Sequence, residues 1–479
     1  MRHLSSRSIG RREFLTAGSA AALAAALPLS ASWAGVQLIE RRLVAQPNRV
    51  NITGSQYPDT AVWAYDGAIP GPEIRLRQGQ RLRGEIENRL PQATTIHWHG
   101  VRVPNAMDGV PHLTQAPIEP GARFVYEFDA VDAGTFWYHP HERSFEQVGR
   151  GLYGSLIVEE REPIAVDRDV TWVLGDWRLQ PDAQLREDFG SFFDASHNGR
   201  VGNTVTINGR VVDAFAMRSG ERIRLRVINT ANARIFGLDF RGHRPWIIAL
   251  DGQPVEPHAP DGGRVTLGPA MRADLILDCT GKPGERFQVI DDFYKSLAYR
   301  LVDLAYADAV PLRSAPPETS IKLPPNPLAE PDLDSAARHR IEFMGGMMGG
   351  MSAAMYGGKR VSARELMMQH RMAWAINGVV AKGHVHEPLI TLDRGKSYVL
   401  DMTNDTAWHH PIHLHGHSFR VVARDGKPTT HREWQDTVLM KPRERVEIAF
   451  VADNLGDWMF HCHILEHQAA GMMGVIRVA

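Results

Sequence analysis

A short segment near the C-terminus carries side chains suited to a copper ion. Residues 461–467 are His-Cys-His-Ile-Leu-Glu-His, and Met472 follows five residues after the last histidine. A thiolate from Cys462, an imidazole from His467, a second imidazole from elsewhere and a weak axial thioether from Met472 form the ligand set of a blue-copper site. The segment therefore predicts a copper site that transfers electrons.

The two histidines beside Cys462 indicate a second metal site. Successive side chains of an extended strand point to opposite faces. If Cys462 faces one copper ion, His461 and His463 face the other way together. The pattern predicts two metal sites that are connected through one residue of backbone.

Three further histidine clusters offer the remaining ligands. They are His97-Trp98-His99 before Gly100, His139-Pro140-His141, and His410-Pro411-Ile412-His413-Leu414-His415 before Gly416. Together with residues 461–467, they hold ten of the 22 histidines in the chain. A single His-x-His pair is compatible with a solvated surface, but four clusters in one chain indicate metal binding.

These motifs resemble those of the multicopper oxidases, which include laccases, ascorbate oxidase and bacterial copper-efflux and copper-resistance oxidases. The resemblance covers the chain from about residue 45 to the C-terminus, with HWHG, HPH, HPIHLHG and HCHILEH all present. It implies one type 1, one type 2 and two coupled type 3 copper ions. It assigns His410, Cys462, His467 and axial Met472 to type 1, His97 and His415 to type 2, His99, His139 and His463 to one type 3 ion, and His141, His413 and His461 to the other.

Short strand-like runs separated by Gly, Pro and Asp turns predict an all-β chain, with helix confined to connections. The length of 479 residues favours about three domains. With the resemblance, this predicts three cupredoxin-like Greek-key β-sandwich domains. Their expected ranges are 35–160, 161–310 and 338–479, with a Pro-rich linker over 311–337.

The spacing of three asparagines indicates an internal repeat. Asn88 precedes His97 by nine residues, and Asn404 precedes His413 by nine. Asn229 precedes Leu238 by the same nine residues, but Leu238-Asp239-Phe240 stands where the other copies have His-x-His. The middle domain is therefore predicted to bind no copper and to act as a spacer. The three-copper cluster is expected between the first and third domains.

Two positions bear on proton supply. Asp108 lies nine residues after His99, at the position of a proton-donating acid in the bacterial oxidases that the chain resembles. The alternative is an ordinary turn residue before Gly109. Gln468 directly follows the last type 1 histidine, where some relatives have Glu. Because glutamine cannot donate a proton, a second proton route there is in question.

The electron donor is left open between a phenol and Cu(I), with Mn(II) as a weaker third. Trp408 stands two residues before His410, where copper-efflux oxidases often have Met. A Met-rich segment over 344–372 nevertheless offers thioethers, which suit Cu(I), and core packing is its alternative role. Its first methionines have the spacing of one helical face: Met344, Met347, Met348, Met351 and Met355.

The predicted function is a laccase-like multicopper oxidase that couples one-electron oxidation of phenols or Cu(I) to four-electron reduction of dioxygen to water. One alternative is a cuprous oxidase dedicated to periplasmic copper tolerance. Another is a non-enzymatic structural or cell-division protein with this fold. Such relatives have lost ligands, whereas all twelve positions are filled here.

The N-terminus is predicted to be a twin-arginine signal peptide over 1–34, because Gly10-Arg11-Arg12-Glu13-Phe14-Leu15 precedes an Ala-rich run. The run is too short for a membrane anchor. We therefore expect export of the folded protein by the twin-arginine machinery to the periplasm, without stable membrane insertion after processing.

Charge and cysteine content add little to this picture. A net charge of −1 gives no reason to expect a nucleic acid partner. Cys279 is the only cysteine besides Cys462, so no intrachain disulfide is expected. We predict a monomer in which Cys279 is a buried, inert thiol.

Overall fold

The computed structural model describes residues 37–383 and 385–479, so the predicted signal peptide lies outside the described residues. The described chain is built from β-sheets that form three sandwiches, which confirms the predicted fold class. Helices are short: α1 (Ser144–Gln147), α2 (Phe192–Ser196), α3 (Ala363–Glu365), α4 (Leu465–Ala469), a π-helical turn (Leu366–His370) and 3-10 turns at Asn105–Met107, Asp261–Gly263 and Lys295–Leu297. None of the described helices is long and apolar enough to cross a membrane.

The first sandwich has two four-stranded sheets. Its strands are β1 (Leu38–Val50), β2 (Thr60–Tyr65), β3 (Gly71–Arg77), β4 (Arg81–Asn88), β5 (His97–His99), β6 (Arg123–Asp129), β7 (Gly134–His139) and β8 (Gly154–Glu159). The sheets have the orders β2-β1-β4-β6 and β3-β8-β7-β5. Leu43 and Ile86 of one sheet and Ile74 and Leu156 of the other share one buried core.

The second sandwich has a six-stranded and a five-stranded sheet. Its strands are β9 (Arg168–Trp177), β10 (Thr204–Ile207), β11 (Ala214–Met217), β12 (Arg222–Asn229), β13 (Phe236–Phe240), β14 (Trp246–Leu250), β15 (Gln253–His258), β16 (Val265–Leu267), β17 (Arg272–Asp278), β18 (Arg286–Asp291) and β19 (Tyr299–Tyr306). The sheet orders are β10-β9-β12-β17-β14-β15 and β11-β19-β18-β13-β16. Leu238 and Phe240 are both buried in the core of this sandwich.

The third sandwich follows a stretch, 307–336, in which the described chain forms no strand. Its strands are β20 (Ala337–Gly345), β21 (Ala353–Tyr356), β22 (Lys359–Ser362), β23 (Trp374–Ile376), β24 (Ile390–Leu392), β25 (Ser397–Asp405), β26 (His410–Leu414), β27 (Phe419–Arg424), β28 (Lys427–Pro428), β29 (Trp434–Gln435), β30 (Thr437–Met440), β31 (Arg445–Val451), β32 (Gly456–Cys462) and β33 (Met473–Val478). The main sheets are β23-β20-β25-β31-β27-β28, to which β29 adds beside β27, and β24-β33-β32-β26-β30. Strands β21 and β22 form a separate hairpin.

The three sandwiches are connected in the same way. Each contains two parallel strand pairs, namely β1/β4 with β3/β8, β9/β12 with β11/β19, and β20/β25 with β24/β33. Near the end of β4, β12 and β25, an asparagine amide donates to two backbone carbonyls: Asn88 to Gln92 and Ile118, Asn229 to Arg234 and Leu267, and Asn404 to Trp408 and Lys441. An asparagine with the same pair of side-chain hydrogen bonds thus precedes β5, β13 and β26.

Buried arginines join the first and second sandwiches. Arg224 and Arg226 alternate along β12 with apolar residues that face the core. Arg224 forms ion pairs with Glu160 and Asp274, each at 2.7 Å, and Arg226 donates to Thr135 Oγ1 of the first sandwich at 2.9 Å. Because an unpaired buried charge is costly, these contacts fix the two sandwiches in one relative position.

The helical spacing predicted for the methionines at 344–355 is wrong. Met344 lies at the end of β20, Met347 and Met348 lie in a turn, and Met355 lies in β21. Gly345 and Gly346 have φ angles of 105° and 73°, which favour glycine and turn the chain away from the strand. The glycines therefore end a strand instead of interrupting a helix.

The methionines fall into two groups. Met351 is buried beside Ala354, Val361 and Leu366 in a small core, against which Met344 and Met372 also pack. Four others are exposed at the surface, by 42, 70, 40 and 77 % of their area: Met347, Met348, Met355 and Met368. The segment is thus part core and part surface.

Candidate metal centre

Two strand pairs position the predicted ligands. In the first sandwich, β5 and β7 are antiparallel neighbours that place His97 opposite His139. In the third sandwich, β26 and β32 pair so that Ile412 lies opposite Cys462 and His413 opposite His461. The alternation of side chains along β32 then separates Cys462 from His461. His463, the residue after β32, has its ring 5.5 Å from that of His461, so the two lie together as expected from the sequence.

The first group of ligand atoms, the type 1 cluster, lies within the third sandwich. Cys462 Sγ is 3.4 Å from His410 Nδ1 and 3.8 Å from His467 Nδ1, and the two nitrogens are 3.2 Å apart. The residues, like Met472, are buried. The backbone N–H of Cys462 donates to the Met472 carbonyl at 3.1 Å, which holds the predicted axial residue next to the cluster.

The second group, the histidine cluster, lies between the first and third sandwiches. The rings of His97 and His415 are 3.9 Å apart, and those of His99 and His413 are stacked at 3.8 Å. The members are the eight predicted ligands His97, His99, His139, His141, His413, His415, His461 and His463, all buried. The structure therefore brings together four histidines from each terminal sandwich.

Converging triads occur within the histidine cluster. The ligand atoms of His99, His139 and His463 lie within 4.8 Å of one another, and this is one predicted type 3 set. His97 and His415, the predicted type 2 pair, form such a triad with His141. The division of the remaining histidines among three ions stays a prediction.

The nitrogen atoms of the histidine cluster fit metal ions. Several of its buried nitrogens have no hydrogen-bond partner among the described residues: His97 Nε2, His99 Nδ1, His139 Nε2, His141 Nε2, His413 Nε2 and both nitrogens of His463. Buried polar atoms without partners are rare unless they serve an ion or a water molecule. Imidazoles together with a thiolate are ligands that suit copper.

Burial also favours the neutral form of most of the candidate histidine ligands. It lowers the pKa of His99, His139, His141, His410, His415 and His463 well below the ordinary value, helped by neighbouring imidazoles, and lowers the pKa of His461 and His467 to about 3. Neutral imidazole is the form that binds metals. Burial raises the pKa of the Cys462 thiol, so a thiolate at this position requires a cation beside it.

Asp108 lies between two members of the histidine cluster. His415 Nδ1 donates to Asp108 Oδ2 at 2.9 Å, and His97 Nδ1 donates to the Asp108 carbonyl at 2.7 Å. The following Gly109 has a φ of 78°, and a Cβ there would lie 1.8 Å from the Ile96 carbonyl oxygen. Asp108 is therefore both a turn residue and a carboxylate that contacts the cluster, so the two interpretations are compatible.

Three kinds of comparison with known proteins place the chain in a family. Sequence models described as multicopper oxidase match residues 46–163, 168–297 and 360–479. The chain is 30 % identical to multicopper oxidase MmcO of Mycobacterium tuberculosis, over 97 % of this chain and 96 % of the relative. The chain belongs to the multicopper oxidase family. It is thus an oxidoreductase of a copper-binding family, and its histidine clusters fit copper sites.

Solved structures agree with this assignment. A multicopper oxidase from Pseudomonas thermotolerans is 34 % identical, with a TM-score of 0.79 over 93 % of this chain and all of that chain. One from Pseudomonas parafulva is 36 % identical, with a TM-score of 0.78 over 92 % of this chain and all of that chain. The similarity therefore covers all three sandwiches of this multicopper oxidase.

Gln468 contacts the histidine cluster at His141. Its Nε2 lies 3.5 Å from His141 Nδ1, and its Oε1 is 3.4 Å from the Ser144 hydroxyl. A cavity of about 270 Å³ reaches the same two residues, His141 and Gln468, and is lined mainly by apolar side chains such as Val110 and Met459. In this multicopper oxidase, the side-chain amide of Gln468 therefore lies where the cavity meets the histidine cluster.

Several buried residues that no sequence motif indicates orient the ligands of this oxidase. Thr406 Oγ1 contacts His410 Nε2 at 2.8 Å, and the Asp436 carbonyl accepts from His413 Nδ1 at 2.8 Å. Arg272 of the second sandwich pairs with Asp436. No motif marks these positions. The one available signal is Arg272 at the start of the largely buried strand β17, because a buried arginine needs a partner of opposite charge.

Proposed function

We propose that this oxidase binds four copper ions and takes single electrons from small donors while it reduces dioxygen to water. The observation that carries the proposal is the placement of Cys462 in the type 1 cluster while His461 and His463 lie in the histidine cluster. Bound copper supplies one-electron acceptance at the first cluster and storage of the four electrons that dioxygen needs. The chain itself supplies the connection, because the two clusters are one residue of backbone apart.

Surrounding residues have separable tasks in this scheme. Asp108 fixes the orientation of His415 through its Oδ2 and can hold a proton at the edge of the histidine cluster. Thr406 fixes His410 so that Nδ1 faces Cys462. Such outer partners set the tautomer of a ligating histidine.

Substitution of Cys462 by Ser tests the proposal. The parent enzyme is expected to hold four copper ions per chain and to show intense thiolate-to-copper absorption in the visible range. The Cys462→Ser variant should lose that absorption and oxygen uptake, but should keep the copper of the histidine cluster. A parent enzyme that lacks the absorption after copper loading would refute the assignment of Cys462.

Phenols are the first candidate donors, and Cu(I) is the second. Laccase-1 of Fomitopsis schrenkii, 29 % identical, and copper resistance protein A of Escherichia coli, 26 % identical, are both relatives. The exposed thioethers of Met347 and Met348 favour Cu(I). The Met347 carbonyl accepts a hydrogen bond from the Trp408 indole at 2.9 Å, and Trp408 is two residues before the type 1 ligand His410. Oxygen uptake with each donor, with and without added Cu(II), ranks the two.

We also propose that the protein is exported to the periplasm by the twin-arginine machinery and works there as a monomer. Arg11 and Arg12 support the route, and one chain carries all twelve candidate ligands, so no second copy is needed to complete the site. Substitution of both arginines by Lys should leave the precursor in the cytoplasm. Normal periplasmic accumulation of that variant would contradict the proposed route.

A further inference from the structure

The second sandwich covers the outer edge of the type 1 cluster. His467 is completely buried, and its Nε2, the nitrogen that faces away from Cys462, donates to the His197 carbonyl at 2.7 Å. A donor molecule therefore cannot reach this imidazole directly. The predicted role of the middle domain as a simple spacer does not account for this contact.

The covering segment is held by three consecutive carbonyl groups at the end of α2. The Ala195 carbonyl accepts from the Trp374 indole at 2.6 Å, the Ser196 carbonyl accepts from the Met347 backbone at 2.9 Å, and the His197 carbonyl accepts from His467. Within α2, Asp194 is paired with Arg178 at 2.7 Å. These bonds fix the segment against the third sandwich.

The outer surface of this segment is aromatic. The His197 ring stacks on Phe193 at 4.2 Å and meets the Trp408 ring edge-on at 5.5 Å. Phe193 is 67 % exposed. We call Phe193, His197 and Trp408 the aromatic cap.

The aromatic cap is connected to both imidazoles of the type 1 cluster. His197 is bonded to His467 through its own carbonyl. The Trp408 backbone donates to Thr406 Oγ1 at 3.1 Å, and that oxygen contacts His410 Nε2 at 2.8 Å. Short hydrogen-bonded paths thus lead from the partly buried residues His197 and Trp408 to the buried ligands.

We propose that a planar aromatic donor stacks on the aromatic cap and that His197 conducts its electron to the type 1 cluster. The inference rests on the proposed function. The exposed Phe193 ring favours an aromatic donor. Arg371 is exposed, and its guanidinium lies 5.7 Å from the ring of Phe192, the residue before Phe193, which favours a donor with an anionic substituent. Each phenol releases one electron to the cluster and its hydroxyl proton to water. Four such events supply the electrons that reduce one dioxygen, with four protons, to two waters.

Anaerobic stopped-flow reduction tests the proposal on the copper-loaded enzyme. With 4-hydroxy-3-methoxybenzoate as donor, Phe193→Ala and His197→Ala are each expected to bleach the visible absorption about tenfold more slowly, because they remove a stacking partner. His197→Phe keeps a ring and the backbone carbonyl, and should retain most of the rate. The midpoint potential should be unchanged in all three, since the bond to His467 comes from the backbone. Tyr57→Ala is a matched control, because Tyr57 is an exposed ring of the first sandwich.

Binding to copper-free protein gives a second measurement that does not depend on turnover. Saturation-transfer NMR with 4-methoxybenzoate, which has no phenolic hydroxyl, should show contact with the parent protein and not with Phe193→Ala. Parental bleaching rates in both alanine variants, or rate changes explained by a shifted potential, would overturn the proposal. If the loaded enzyme shows no visible absorption, the proposed function fails, while the NMR experiment still decides whether the cap binds aromatic anions.

Discussion

Arg272 of the second sandwich and Asp436 of the third form a fully buried ion pair, with N–O distances of 2.8 and 2.6 Å. Asp436 Oδ1 also accepts from His99 Nε2 of the first sandwich at 3.1 Å. A single carboxylate therefore contacts all three sandwiches beside the histidine cluster. Burial would raise the pKa of Asp436, but Arg272 and His413 hold it below its ordinary value, so the group stays charged.

Replacement of Arg272 by Met is expected to destabilise the protein by about 3–5 kcal/mol, because Asp436 keeps a buried charge without its partner. Copper content should fall as well, since Asp436 also contacts His99. Thermal unfolding and copper analysis measure the two effects. Arg264→Met is the control, because its pair with Asp292 is solvent-exposed and should contribute little to stability. Equal effects of the two substitutions would contradict this account.

Asp108→Asn is expected to slow the reaction with dioxygen by about 10²-fold or more, the usual effect of losing a proton-transferring side chain. Anaerobic reduction of the type 1 cluster should remain at the parental rate, because Asp108 contacts His415 and His97 and is not part of that cluster. Stopped-flow reoxidation with dioxygen separates the two half-reactions. If the variant is reoxidised at the parental rate, Asp108 has no role in proton transfer and serves only as a turn residue.

The exposed and buried methionines are expected to differ in effect. Conversion of Met347, Met348, Met355 and Met368 to Leu should lower Cu(I) oxidation without changing the melting temperature, because these side chains are exposed. Met351→Ala should instead cost about 2–5 kcal/mol of stability through a cavity in the small core. Oxygen uptake with Cu(I) and calorimetry provide the measurements. Unchanged Cu(I) oxidation in the fourfold variant would show that these four thioethers take no part in the reaction with Cu(I).

The ion pair between Asp169 and Arg226, which joins β9 to β12 within the second sandwich, should weaken in acid. Burial opposes ionisation of Asp169, but the ion pair with Arg226 lowers its pKa overall. A carboxyl group whose pKa is lowered by folding stabilises the protein above its unfolded pKa of about 3.9, and the contribution is lost as the pH falls through the folded value. Asp169→Asn should therefore be less stable than the parent at pH 7, and the difference should shrink below about pH 4. Urea unfolding at both pH values tests this, and a difference independent of pH would contradict it.

The sequence predicted the fold class and the ligand clusters because both follow local rules. Strand alternation separated Cys462 from His461 and His463 without any tertiary information. The contacts of Arg272 and His197 could not be predicted, because they depend on how distant sandwiches dock. The methionine spacing wrongly predicted a helix because Gly345 and Gly346 have positive φ angles, with which the chain leaves β20 in a turn.

The histidine cluster also constrains the order in which the protein can mature. Half of its members come from the segment 97–141 and half from the segment 413–463, so no part of the chain synthesised early can form it alone. Copper can occupy the complete cluster only after the C-terminal strand pair has docked against the first sandwich. The spectrum of a filled cluster therefore reports directly that the first and third sandwiches have docked.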